Sequence, residues 1–185
     1  IVIFYSSFVI HHFRRICYIF EETKNQVMLR KTLSTPYDII PRSDFSADVL
    51  RLEGAAIEAA RSAYAPYSRF SVGAAVLLDN GEILSGSNQE NAAYPSGLCA
   101  ERTVLFYAGA RYPEAAVREM VLVAFSASGR VPLITPCGAC RQVMLEVCSR
   151  HRPFPILMVG EEEAVRVSDV RLLLPFSFDG SDLER

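Results

Sequence analysis

Phe70-Ser71-Val72-Gly73-Ala74-Ala75-Val76-Leu77-Leu78, then Asp79-Asn80-Gly81, then Glu82-Ile83-Leu84-Ser85-Gly86-Ser87, is the stretch on which the fold turns. The first run is apolar and β-forming, and the second returns after a strong turn signal, so the pair reads as a β-hairpin. Two later runs, 119–127 (EMVLVAFSA) and 155–160, are continuously apolar, as expected of strands covered on both faces. A short last strand is expected over 164–167. Before the hairpin, Val49, Leu52, Ala56, Ala59, Ala60 and Ala63 recur at helical spacing, so 46–63 reads as an amphipathic helix with a small-residue face suited to close packing. Helices are also expected over 99–110, with Val104, Leu105 and Ala108 on one side, and over 136–150, with Val143, Met144 and Val147 inward. A short helix over 170–174 precedes Pro175. A hairpin followed by strand–helix alternation predicts an α/β fold, a three-layer α/β/α arrangement around a mixed sheet of about five strands. Such crossovers bring helix N-termini to one sheet edge, where ligands bind in open α/β folds.

Composition narrows the class. At 185 residues and 50% hydrophobic, the chain can bury one good core. A net charge of −2 offers no basic excess for nucleic acid or an acidic membrane surface. Five cysteines, two of them in a CxxC pair, point to metal or thiol chemistry in a reducing compartment rather than to a disulfide framework. There is no internal repeat and no phosphate-cradling glycine loop.

Residues 1–27 read differently. Two apolar patches flank His11-His12-Phe13-Arg14-Arg15. The basic cluster follows the first apolar run instead of preceding it, which is the wrong order for a secretory signal, and it interrupts any membrane span. The first methionine is Met28. The reading preferred here is translation from Met28, with 1–27 an atypical leader from an upstream start; an anchor or a disordered arm is the alternative. Residues 28–45 carry Pro36 and Pro41 and read as an irregular lead-in, with 46–185 the single functional domain.

Two short motifs carry the chemistry: Cys99-Ala100-Glu101 and Pro136-Cys137-Gly138-Ala139-Cys140, each at an expected helix start. Zinc favours thiolate ligands in a tetrahedral array, and a catalytic zinc keeps one position for water. Unpaired N–H groups and the partial positive charge of a helix N-terminus favour thiolate over thiol. Cys148 lies eight residues beyond Cys140 on the same helix, about 12 Å along its axis, which is too far to share one ion. It reads as a small buried hydrophobe. Glu101 stands two residues from Cys99, turned away from that sulfur yet within reach of a water on the ion, where a proton shuttle belongs; alone it would be an ordinary helix-start glutamate. Three thiolates leave the ion with a net negative charge, so Arg102 and Arg141 are expected to hydrogen-bond the sulfurs.

Asn88-Gln89-Glu90-Asn91-Ala92-Ala93-Tyr94-Pro95-Ser96-Gly97-Leu98-Cys99-Ala100-Glu101-Arg102-Thr103, with Pro136-Cys137-Gly138-Ala139-Cys140-Arg141-Gln142, resembles the small homotetrameric cytidine deaminases of the three-cysteine zinc type over about residues 46–183. The wider motif is the known signature of zinc deaminases. The resemblance implies one Zn²⁺ per subunit held by Cys99, Cys137 and Cys140, with Glu101 as proton shuttle. It implies that Asn88 and Glu90 bond the sugar hydroxyl, Phe70 packs on the pyrimidine, the Ala100 backbone meets the base edge and Arg102 moderates thiolate charge. It also implies that Phe178 reaches a neighbouring subunit's site, although Phe176 adds a second aromatic and leaves open which of the two does so. The residues agree in one respect: Asn88 and Glu90 alternate at a strand end and so point the same way.

The reaction so implied is hydrolytic deamination of cytidine or deoxycytidine to uridine or deoxyuridine, a step of pyrimidine salvage in the cytoplasm, with nucleoside and water as partners and no nucleic acid or membrane. The rivals are a deaminase of a polynucleotide, nucleotide or nucleoside-like compound, and an inactive structural zinc module. The acidic balance and the lack of a basic, aromatic-lined groove disfavour polynucleotide. Asn88-Gln89-Glu90 offers no phosphate-binding cation. Three ligands rather than four disfavour a closed structural site.

Overall fold

The computed structural model describes residues 29–183, so the leader, the Met28 start and Cys17 lie outside the described residues. Ser34–Arg185 forms one compact unit. Its strands are β1 (Asp38–Pro41), β2 (Ser71–Leu78), β3 (Ile83–Ser87), β4 (Val117–Ser126), β5 (Gly129–Arg130), β6 (Ile156–Val159) and β7 (Glu163–Val167). Its helices are α1 (Ala47–Arg61), α2 (Ala100–Arg111) and α3 (Gly138–Arg150). The strands make one sheet in the order β1-β7-β6-β4-β2-β3, with β5 paired to β4. Only β4 and β6 run parallel among these pairs, which requires a crossover, and α3 supplies it.

The expected mixed sheet between helices is present, with seven strands instead of about five. The additional strands are β1 and β5. β1 falls in the segment read as an irregular lead-in on the strength of Pro36 and Pro41. It is an edge strand ending at Pro41, a place where a missing N–H is tolerated. β5 is two residues long, too short to leave a pattern, and sits in what reads as the 128–135 loop. The short helix expected over 170–174 is a 3₁₀ turn, Val170–Leu173, capped by the Asp169 side chain.

Alternation along the strands builds two cores. Ala74, Val76 and Leu78 of β2, Met120 and Leu122 of β4, and Ile156 and Met158 of β6 face α2 and α3. Ala75, Leu77, Val121, Val123 and Leu157 face α1. The α1 face is close-packed because it is small: a Cβ on Gly73 would lie 1.8 Å from the Ala56 carbonyl oxygen. The hairpin turn closes at Gly81, whose φ of +89° suits glycine. α1 starts at Ser46, whose hydroxyl accepts from the Val49 N–H at 3.2 Å.

One charged group breaks the apolar α1 face. Glu53 is 2% exposed and takes Arg42 at 2.6 and 2.9 Å and Arg130 at 2.7 Å. It therefore ties α1 to the end of β1 and to β5. The sequence offers no local signal for this cluster, because its members lie far apart in the chain. Among the described residues no helix is long and apolar enough to cross a membrane.

Candidate active site and metal centre

The chain between β3 and α2 is shaped by its own backbone. Gln89 and Leu98 exchange N–H···O bonds of 2.8 and 2.9 Å, closing the 89–98 loop so that Cys99 emerges as the residue before α2. Gly97 sits inside this closure, where a Cβ would meet the Gln89 oxygen at 3.2 Å. Cys137 occupies the same position before α3, and Cys140 is the third residue of that helix. Neither preceding cysteine caps its helix with a side-chain hydrogen bond, so both sulfurs remain at the positive helix ends.

The two starts converge. The Cys99 and Cys137 sulfurs are 3.9 Å apart, those of Cys137 and Cys140 are 3.4 Å apart, and all three lie within 4.8 Å of one another. Four ligands around zinc at 2.3 Å place sulfurs about 3.8 Å apart in a tetrahedron, so this donor set fits the ion in both element and spacing. Cys148 is not in the group. It is buried in the α2–α3 core, where burial pushes its thiol up to about 11.

Charge is distributed unevenly over the sulfurs. A hydrogen bond from Cys140 is the largest influence lowering the Cys99 thiol, to about 5, with Arg102 and Cys137 adding to it. Cys140 is raised in turn, first by that same contact. Of the three sulfurs, that of Cys99 is the one beside Arg102. The Arg102 Nη2 lies 3.8 Å from the Cys99 sulfur and donates to the Gly97 carbonyl at 3.3 Å. Its Nε is buried without a partner among the described residues, a spare donor beside an anionic cluster. Arg141 departs from the expectation of a thiolate contact. It donates to the Pro136 carbonyl at 2.8 Å and the Leu173 carbonyl at 2.9 Å, bracing the turn that presents Cys137.

Glu101 is 4% exposed at the start of α2, in contact with the Cys140 thiol. Burial is the largest influence on its carboxyl and raises it above the ordinary carboxylate value; the Cys99 charge pushes the same way. A carboxyl so raised is a better proton acceptor than an exposed one. Ala100 is fully buried beside it.

A cavity of about 420 Å³ opens beside Cys99, lined by Tyr67, Asn88, Glu90, Tyr94, Cys99 and Arg102 among others. It thus brings two of the sequence-derived binding residues to a metal ligand and its arginine. Asn88 Oδ1 accepts from the Val72 N–H at 2.8 Å and its Nδ2 donates to the Phe70 carbonyl at 2.9 Å. Glu90 Oε2 accepts from the N–H groups of Tyr67 and Ser68 at 2.9 and 3.2 Å. These bonds, first among them one to the Ser68 hydroxyl, lower the Glu90 carboxyl. Phe70 is half-buried just before β2 and does not line the cavity. Phe178 is 59% exposed, its carbonyl held by the Gln142 Nε2 at 2.8 Å, and Phe176 is 96% exposed. Tyr67 and Tyr94, whose rings meet edge to face at 6.2 Å, were not singled out from the sequence. Their only signal was a place in proline-containing loops beside the motifs.

Fold and site together define an α/β protein with three cysteine sulfurs placed at two helix starts to hold a metal ion, and a buried carboxyl beside them. The family model for the cytidine and deoxycytidylate deaminase zinc-binding region matches residues 49–154, and the chain belongs to this family. It is 43% identical over 129 residues to a cytidine deaminase of Halalkalibacterium halodurans, covering 69% of this chain and 92% of that one. It is 39% identical over 136 residues to a cytidine deaminase of Sporosarcina psychrophila, covering 74% and 95%. The crystal structure of a cytidine deaminase from Burkholderia pseudomallei aligns with a TM-score of 0.60 at 38% identity, covering 70% of this chain and 98% of that one.

Proposed function

We propose that this chain catalyses the hydrolytic deamination of cytidine and deoxycytidine to uridine and deoxyuridine, a step of pyrimidine salvage in the cytoplasm. The observation that carries the reading is the convergence of three sulfurs, one of them that of Cys99 at the wall of a cavity that also holds Asn88 and Glu90, with the buried Glu101 carboxyl against Cys140. Cys99, Cys137 and Cys140 hold one Zn²⁺, which when bound supplies Lewis acidity that makes a water nucleophilic near neutral pH. Glu101 takes the proton from the attacking water and passes it to N3 of the pyrimidine. As the water oxygen bonds C4 a hydroxyl forms there; Glu101 takes that hydroxyl's proton and delivers it to the 4-amino group, the C4–N bond breaks, and ammonia departs with C4 left as a carbonyl. The Ala100 backbone meets the base edge, Phe70 packs on the ring, and Asn88 and Glu90 hold the sugar hydroxyl. Arg102 moderates the charge on Cys99.

The neutral-to-acidic sugar end favours a nucleoside over a nucleotide. The assay is loss of cytidine absorbance with zinc-loaded protein, run beside dCMP and single-stranded DNA. Turnover of the nucleosides alone is the expected result; turnover of dCMP or DNA in preference to them contradicts it. Phe178 serves a neighbouring copy's cavity in a homotetramer, a reading supported by its exposure and by the Gln142 anchor on its carbonyl. A fully active monomer in a light-scattering measurement contradicts that part.

A further inference from the structure

Residues 64–72 are fastened to the strand extension 88–90 at successive levels. The Tyr64 N–H donates to the Asn88 carbonyl at 3.1 Å, and the Glu90 N–H donates to the Tyr64 carbonyl at 2.8 Å. Further along, the Glu90 Oε2 takes the Tyr67 and Ser68 N–H groups. The Ser68 hydroxyl oxygen in turn accepts the Phe70 N–H at 3.1 Å. The Asn88 amide then brackets Phe70 and Val72. Between these anchors Arg69 has a φ of +54°, the left-handed region that a non-glycine residue holds only where its surroundings impose it. The residues that impose it are immediately upstream, and Glu90 grips both.

We infer that Glu90 is a positioning residue for the turn 67–70 as well as a contact for the sugar. An ionised carboxylate offers about four acceptor sites. Two backbone N–H groups use two of them, and the bond to Ser68 leads on directly to Phe70 through the Ser68 hydroxyl. The remaining sites are open to a substrate hydroxyl. The sugar grip and the placement of the base-packing Phe70 therefore share one side chain. Loss of Glu90 disturbs base stacking even for a nucleoside that has no hydroxyl to offer. This inference rests on the roles proposed above for Glu90 and Phe70.

The test compares wild type, Glu90→Ala and Glu90→Gln, each zinc-loaded. Amide hydrogen exchange at Tyr67 and Ser68 and tryptic cleavage after Arg69 report the turn directly. Both are expected to quicken about 10-fold in Glu90→Ala and to return to within about 3-fold of wild type in Glu90→Gln, whose carbonyl can still accept the two N–H groups. In parallel, kcat/KM is measured on cytidine and on 2′,3′-dideoxycytidine, which lacks the hydroxyl. Positioning predicts a drop of about 10-fold for Glu90→Ala on the dideoxy compound as well, partly restored by Glu90→Gln. Wild-type exchange, wild-type cleavage and undiminished dideoxycytidine turnover in Glu90→Ala would overturn the inference. A wild-type protein that turns over neither nucleoside defeats the proposed function instead, while exchange and cleavage still decide whether Glu90 holds the turn.

Discussion

Glu101 and Cys99 stand two residues apart at the start of α2, and that offset divides the chemistry between them. The Cys99 sulfur belongs to the three-sulfur cluster that could hold a metal ion; the Glu101 carboxyl stands outside that cluster, buried against Cys140. Arg102 completes the run, 3.8 Å from the Cys99 sulfur. Arg102→Ala should leave the fold intact but lower zinc affinity or turnover about 10- to 100-fold, read by zinc titration and by kcat. Unchanged values for both would remove Arg102 from the site. Asp169 gives a second residue-scale prediction. The Arg171 guanidinium, 2.9 Å away from Nε to Oδ2, holds the Asp169 carboxyl below its ordinary value. A carboxyl whose folded value is depressed adds stability that is complete above its unfolded value and disappears as pH falls through the folded value. Asp169→Ala is therefore expected to cost about 1 kcal/mol at pH 7, with the gap to wild type closing as pH falls below the ordinary carboxylate range. Denaturant melts across pH would show it; a gap independent of pH would contradict it.

At the scale of elements, what the sequence reveals depends on how locally each feature is encoded. The β2–β3 hairpin, β4, β6 and the three helices lie close to the ranges read from pattern, because apolar periodicity and the Asp79-Asn80-Gly81 turn are local signals. Cys99, Cys137 and Cys140 were legible because zinc fixes their spacing and type. β1 and the Glu53–Arg42–Arg130 cluster were not, since both depend on partners distant in sequence. The hydrogen bonds of Asn88 and Glu90 to residues 67–72 were hidden for the same reason. Packing tolerance is also an element-scale property. The β2–α1 contact leaves no room at Gly73, so Gly73→Ala should cost about 3 kcal/mol, measured by denaturant unfolding. A neutral result would mean that α1 can shift off the sheet at no cost. Glu53→Ala leaves Arg130, whose side chain is 12% exposed, without its carboxylate and is expected to cost about 3 kcal/mol.

Among the described residues, the unit from Ser34 onward is a sheet with α1 on one face and α2 and α3 on the other, and α2 and α3 start side by side where the sulfurs meet. The edge strand β1 makes the segment before residue 46 part of that body, through its pairing with β7 and through Arg42 on Glu53. Truncation separates the two readings of the N-terminal region. A chain beginning at Met28 should keep nucleoside turnover, whereas one beginning at Ser46 loses β1, Arg42 and Phe45 and should unfold at markedly lower denaturant. Zinc removal by a chelator should abolish turnover of the intact chain, and added zinc should restore it. The most direct test of the account is a paired measurement on wild type and Glu101→Ala: zinc content per chain, and ammonia released from cytidine. The account predicts about one zinc per chain in both and ammonia from wild type alone. A Glu101→Ala protein that still releases ammonia at the wild-type rate, or a zinc-loaded wild type that releases none, would contradict it.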